Sequence, residues 1–262
     1  MADKKATREA YGEALAEFGA KYNFVVLDAD LSKSTKTDTF KKVFPERFFN
    51  MGIAEANMMT TAAGLAAAGK TVFASSFAVF ASGRSFEQIR NAICYPHLNV
   101  KIGATHAGIS VGEDGPTHQA IEDMALMRAL PGMTVISPAD ATESRAAGLA
   151  AIETDGPFYL RFGRLSVPTI FDPATYKFEL GRGIVLSEGS DVSIIATGLM
   201  VQEAIEAGKI LAEKGISAEI INIHTIKPID RELIVKTAKK TGAVVTAEEH
   251  NIIGGLGSAV AE

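Results

Sequence analysis

Short β-branched and aromatic runs alternate with helical patterns along the whole chain: FVVLDAD (24–30), VFASS (72–76), NVKIGAT (99–105), MTVISPA (133–139) and FYLRF (158–162). Consecutive parallel strands have to be joined by a crossover, usually a helix, so this alternation predicts βα units on a mostly parallel sheet. One helix start is marked by Asp140 and Glu143, spaced as a capping box ahead of the Ala-rich SRAAGLAAIE, and the helix should end near 154–156. After Ser166 the texture changes, with Pro168 and Pro173 and no long helical period before Gly198. Beyond that stretch DVSIIAT, SAEIINI and GAVVTAE read as strands around helices at 201–214 and 230–240. The expected fold class is therefore α/β, with two successive doubly wound domains and mostly parallel sheets. The first spans 1–165, a linker spans 166–190, and the second spans 191–262. A three-stranded second sheet and an ending in GGLGSAVAE read as a truncated second domain.

Composition narrows the function classes. With 26 basic and 31 acidic residues in 262, a net charge of −5 and 47% hydrophobic residues, the chain can bury a large core without crosslinks. Scattered Lys and Arg leave no nucleic-acid footprint. The most apolar stretch, 58–69, is far short of the ~20 residues that span a bilayer. Cys94 is the single cysteine and the first residues lack an apolar signal core, so the expected location is the cytoplasm.

Three motifs lose force on inspection. Gly64 to Thr71 matches the P-loop pattern letter for letter, yet the order is reversed, with a helical stretch before the glycines and a strand after them. Gly69 is better read as a left-handed helix cap. GGLGSA (254–259) lacks the third glycine of a dinucleotide fingerprint, and Cys94 with His97, His106 and His118 fits no zinc spacing. No metal ligand is assigned to this chain.

Other residues point to chemistry. THAGISVGEDGPTH (105–118) packs two histidines and two carboxylates directly after a strand, at the sheet edge where parallel α/β proteins bind ligands. Imidazoles with a pKa of ~6.5 suit proton transfer to sugar hydroxyls near neutrality, while a polar surface turn is the plainer reading. Glu55 stands where the strand FFNMG meets an apolar helix, a position that also simply favours the helix dipole. Phe77 and Phe80 fit either a core or an aromatic wall for a planar ligand.

Taken in order, FFNMGIAEANMM, SSFAVFASGRSFEQIR, THAGISVGEDGPTHQ and FYLRFGR resemble the pyrimidine-binding and C-terminal half of transketolase, a thiamine diphosphate enzyme, from about Thr7 onward. The resemblance implies roles. Glu55 would bond the aminopyrimidine N1′ and, buried and protonated, favour the imino tautomer that deprotonates the thiazolium. Phe77 and Phe80 would line that ring's pocket, and Asp30 would lie close to the cofactor. His106 and His118 would contact sugar oxygens and relay protons, Asp114 would select the acceptor's 2-hydroxyl, and Arg164, assisted by Arg8 and Ser34, would pair with the sugar phosphate.

Two departures accompany the resemblance. One residue more than usual separates Phe80 from FEQIR, so the family's next pocket residue cannot be placed on Ala81, Ser82 or Gly83. More consequentially, the GDG motif and the asparagine ~25–30 residues after it, which hold Mg²⁺ and diphosphate in this family, are missing; the span is that of one βα unit. The near matches at 113–115 and 154–156 belong to the substrate loop and a turn. The chain would thus hold half a site, sharing thiamine diphosphate with a GDG-bearing N-terminal-type subunit that binds Mg²⁺, in an α₂β₂ hetero-oligomer or another dimer of the pyrimidine-binding domains. The implied activity is transfer of a two-carbon ketol unit between sugar phosphates. Deoxyxylulose-phosphate synthase, the β subunit of a 2-oxoacid dehydrogenase, and a non-catalytic partner-binding subunit are the alternatives.

Overall fold

A computed structural model describes residues 4–262. Its larger sheet has seven strands, in the order Thr225–Lys227, Thr134–Ile136, Phe158–Arg161, Val100–Thr105, Thr71–Phe77, Phe24–Asp28 and Phe48–Asn50. The last six run parallel, and Thr225–Lys227 joins antiparallel at one edge. Helices cover both faces, which is why the strands read as continuous apolar runs. On one face Tyr11, Leu15 and Phe18 of the helix Thr7–Phe18 pack with Ala147 and Ala151 of Ala141–Glu153 against Phe24, Phe73 and Phe158. On the other, Met58, Met59 and Ala62 of Glu55–Ala67 pack against Leu27, Ala74 and Ile102.

The second sheet has four strands, in the order Val244–Ala247, Val192–Ala196, Ala218–Asn222 and Ile184–Ser187, the last antiparallel. Its fourth strand comes from the stretch read as linker. Ser166–Pro168, from the same stretch, pairs antiparallel with Lys4–Ala6. Residues 166–190 are thus less of a free connection than their prolines imply, and the second sheet is one strand wider than its apolar runs predict.

The two units are joined by buried polar contacts as well as by the shared edge strand. Glu143 is fully buried and accepts from the Ala139 N–H (2.7 Å), the Tyr176 hydroxyl (2.6 Å) and the Asn222 amide (2.8 Å), which lie on three separate segments. Burial pushes its carboxyl up to about 7. Asp140 caps its helix as read, accepting from the Glu143 N–H at 2.8 Å, whereas the Glu143 carboxyl turns to Ala139 instead of completing the box.

The glycine-rich match at 64–71 closes the helix Glu55–Ala67 ahead of the strand Thr71–Phe77, and Gly69 takes φ +85 there. The inserted residue after Phe80 is taken up in a π-helical turn, Phe80–Arg84, the usual way a helix absorbs one extra residue.

Candidate active site

The chain goes from Phe24–Asp28 to Phe48–Asn50 on one side, then crosses to Thr71–Phe77 on the other. That reversal makes a topological switch point at the carboxyl ends of the strands, the position where open α/β sheets bind ligands. Glu55, Phe77 and His106 all emerge at this edge.

Glu55 is the first residue of its helix, reached from the Phe48–Asn50 strand through Gly52. The residue is only 4% exposed, and Oε1 accepts from Arg84 Nη1 at 3.2 Å. The burial agrees with the expectation; the cation beside it was not foreseen. Arg84 also lies over the Phe80 ring, 4.1 Å from its centroid. Phe77 and Phe80 are nearly parallel, with centroids 5.9 Å apart and 15° between planes. His106 stacks on Phe77 at 3.8 Å, and His118 meets Phe80 edge-on at 5.2 Å. A buried carboxyl beside two aligned aromatic rings suits a planar heterocycle carrying hydrogen-bonding nitrogens, so these residues fit the pyrimidine half of thiamine diphosphate.

His106 has a left-handed backbone, φ +57, at the point where the Val100–Thr105 strand breaks into the loop. A non-glycine residue in that region is held there by its surroundings, a common mark of functional sites. Arg8 Nη1 donates to the Ser34 carbonyl (2.7 Å) and contacts His106 Nε2 (3.4 Å). Because a guanidinium only donates, Nε2 must accept, which places the imidazole proton on Nδ1, donating to Thr105 Oγ1 at 3.0 Å. Burial first, then the charges of Arg8 and Arg164, hold His106 down to about 3, so it stays neutral near pH 7.

This shift has a testable sign. A histidine whose folded pKa lies below 6.5 favours the unfolded chain once that chain takes up protons. The free energy of unfolding should therefore fall by about 1.4 kcal/mol per pH unit from this group as pH drops from ~6.5 toward ~3. Denaturant unfolding of the parent and His106→Asn across that range should diverge by this slope, and parallel curves would refute it.

Burial lowers the Arg8 guanidinium below its ordinary value, and its charged neighbours include Glu9, Arg164 and Asp114. Arg164 donates from Nη2 to Glu113 at 2.8 Å. Asp114 and Glu113 are exposed on the loop. Ser34 meets Arg8 through its carbonyl and not its hydroxyl. Asp30, also left-handed at φ +65, is exposed and accepts from the Asn50 amide at 2.7 Å. Its neighbour Asp28, which had no motif to mark it, is fully buried and accepts from the Leu31 N–H and the Thr35 and Thr37 hydroxyls, fixing the turn that carries Ser34.

Among the described residues no helix is long and apolar enough to cross a membrane. Residues 3–169 match the family model of the transketolase pyrimidine binding domain, and 181–262 that of the transketolase C-terminal domain. A protein of Methanocaldococcus jannaschii named as a transketolase C-terminal section is 56% identical over 260 residues, covering 98% of this chain and 81% of its own. A 6-deoxy-6-sulfo-D-fructose transketolase subunit of a Clostridium species is 46% identical over 97% of this chain and 79% of its own. A solved structure described as a split gene transketolase, inactive beta4 tetramer, superposes with a TM-score of 0.92 at 61% identity, covering 99% of this chain and 85% of that one. A pyrimidine-binding domain of this type implies the use of thiamine diphosphate. The chain belongs to the transketolase family, as the C-terminal section of a split enzyme.

Proposed function

We propose that this chain, joined to a subunit that holds Mg²⁺ and the diphosphate, transfers a two-carbon ketol unit from a ketose phosphate to an aldose phosphate, within an α₂β₂ assembly. The observation that carries the reading is the convergence of the buried Glu55 carboxyl, the Phe77 and Phe80 rings and the neutral His106 at one sheet edge. When bound, thiamine diphosphate supplies the electron sink for breaking the carbon–carbon bond beside the ketose carbonyl.

The chain's own residues do the rest. Glu55 holds a proton toward a pyrimidine ring nitrogen, and Phe77 and Phe80 keep the ring flat and dry. His106, with Nε2 free of its own proton, accepts from a sugar hydroxyl once Arg8 turns to the substrate. His118 moves protons from the opposite rim, and Asp114 selects the acceptor's 2-hydroxyl. Arg164 and Arg8 pair with the anionic end of the sugar, and Asp30 lies at the cofactor's margin. The relative named for a sulfo sugar differs at that anionic end, and the guanidinium pair suits a phosphate equally well.

Mixing the chain with its partner, Mg²⁺ and thiamine diphosphate should give ketol transfer from xylulose 5-phosphate to ribose 5-phosphate, while the chain alone should give none. The description of the solved relative as an inactive tetramer of β subunits supports that expectation. Turnover by the isolated chain would sink the half-site reading, and pyruvate consumption without ketose cleavage would move the activity to a decarboxylating enzyme.

A further inference from the structure

The loop running from His106 to His118 carries the proposed sugar contacts, yet it has little structure of its own. Between Ser110 and Ala120 its regular structure is a single 3-10 turn, Gly112–Asp114, and its closure rests on bridges from Ala107 and Gly108 to Ala120. The loop is held from outside. Glu249, two residues past the strand Val244–Ala247, is 9% exposed, and its Oε1 accepts from the Ser110 N–H at 2.5 Å. Gly108, at φ +85, makes room: a Cβ there would lie 2.2 Å from the Glu249 carboxyl carbon. The Glu249 carbonyl accepts from Arg161 at 2.9 Å. Asn251, two residues on, donates from its backbone and side chain to the Ile121 carbonyl at 3.0 and 2.5 Å. Both ends of the loop are thus gripped by one short turn, which Glu248 braces by capping the helix Leu256–Ala261.

We infer that Glu249 is a positioning residue, and that a task of the second unit is to fix the sugar-binding loop over the site. A carboxylate suits the position because it only accepts, and the part-buried N–H of Ser110 has it as its acceptor. The inference rests on the sugar-binding role proposed for the loop.

Hydrogen exchange and kinetics on the assembled enzyme test both layers. In Glu249→Ala, amides 108–118 should exchange about 10- to 100-fold faster, the factor expected for losing a hydrogen bond to a charged group. Those of Phe24–Asp28 should not change. KM for the sugar phosphates should rise about tenfold, with thiamine diphosphate affinity unaltered, because Glu55, Phe77 and Phe80 lie off the loop. Glu249→Gln keeps a carbonyl acceptor and should restore both readouts to within about threefold. Should Glu249→Ala assemble poorly, Gly108→Ala displaces the same carboxyl from the loop side and should raise KM alike.

Unchanged loop exchange would overturn the clasp, as would equal losses in the alanine and glutamine variants, which would mean packing and not acceptance. A loosened loop with unchanged KM would also overturn the inference, and would place the fault in the loop's assignment to sugar binding.

Discussion

Glu55→Gln should lower turnover of the assembled enzyme by about 10²- to 10⁴-fold, the span associated with losing a positioned proton-transfer group, or about 3–5 kcal/mol of barrier. Glutamine keeps the shape of the side chain and a carbonyl oxygen for Arg84, so the helix start at Glu55–Ala67 keeps its packing. What disappears is the exchangeable carboxyl proton. The altered contact with Arg84 costs little in stability, because that guanidinium is half-exposed and the glutamine oxygen still accepts from it. A thermal midpoint close to the parent's, beside a collapse in turnover, is the expected pair of results. Activity within about threefold of the parent would remove Glu55 from the role proposed for it. The guanidinium of Arg84 lies over the Phe80 face and donates to Glu55 Oε1, so it engages two of the groups assigned to the proposed site.

Sequence patterns revealed what local physics encodes. FVVLDAD, NVKIGAT and FYLRF became strands close to their expected limits because β-branched and aromatic residues buried on both faces leave a largely apolar run. Asp140 was legible because a cap is a two-residue signal. Ile184–Ser187 and Ser166–Pro168 were not. Both are short edge strands, and the latter's partner lies some 160 residues away in Lys4–Ala6, a relation no local window contains. The same holds in the site. Glu55, Phe77 and the histidines sit in recognisable runs, whereas Arg84 and Glu249 are single charged residues that gain meaning only once the fold brings them to a carboxyl and a loop amide.

A buried ionic network centres on Arg161, at the end of the strand Phe158–Arg161. Its guanidinium grips Asp123 twice, at 2.8 and 3.1 Å, and donates to the carbonyls of Ala120 (3.2 Å) and Glu249 (2.9 Å). Asp123 is fully buried, with Tyr159 as its other side-chain donor at 2.8 Å. Arg161→Leu would leave that carboxylate buried without a counter-charge, which costs about 3–5 kcal/mol where such pairs have been broken. At ~2–4 °C per kcal/mol for chains of about this size, the thermal midpoint should drop by roughly 10 °C. Adding Asp123→Leu should recover much of the loss, because two apolar residues replace the pair without an orphaned charge. A single variant within about 1 kcal/mol of the parent, or a double variant no better than the single, would refute this. The recovered double variant should still bind sugar poorly, since stability returns with the charge balance while the guanidinium that ties Ala120 to Glu249, and so seats the loop's far end, does not.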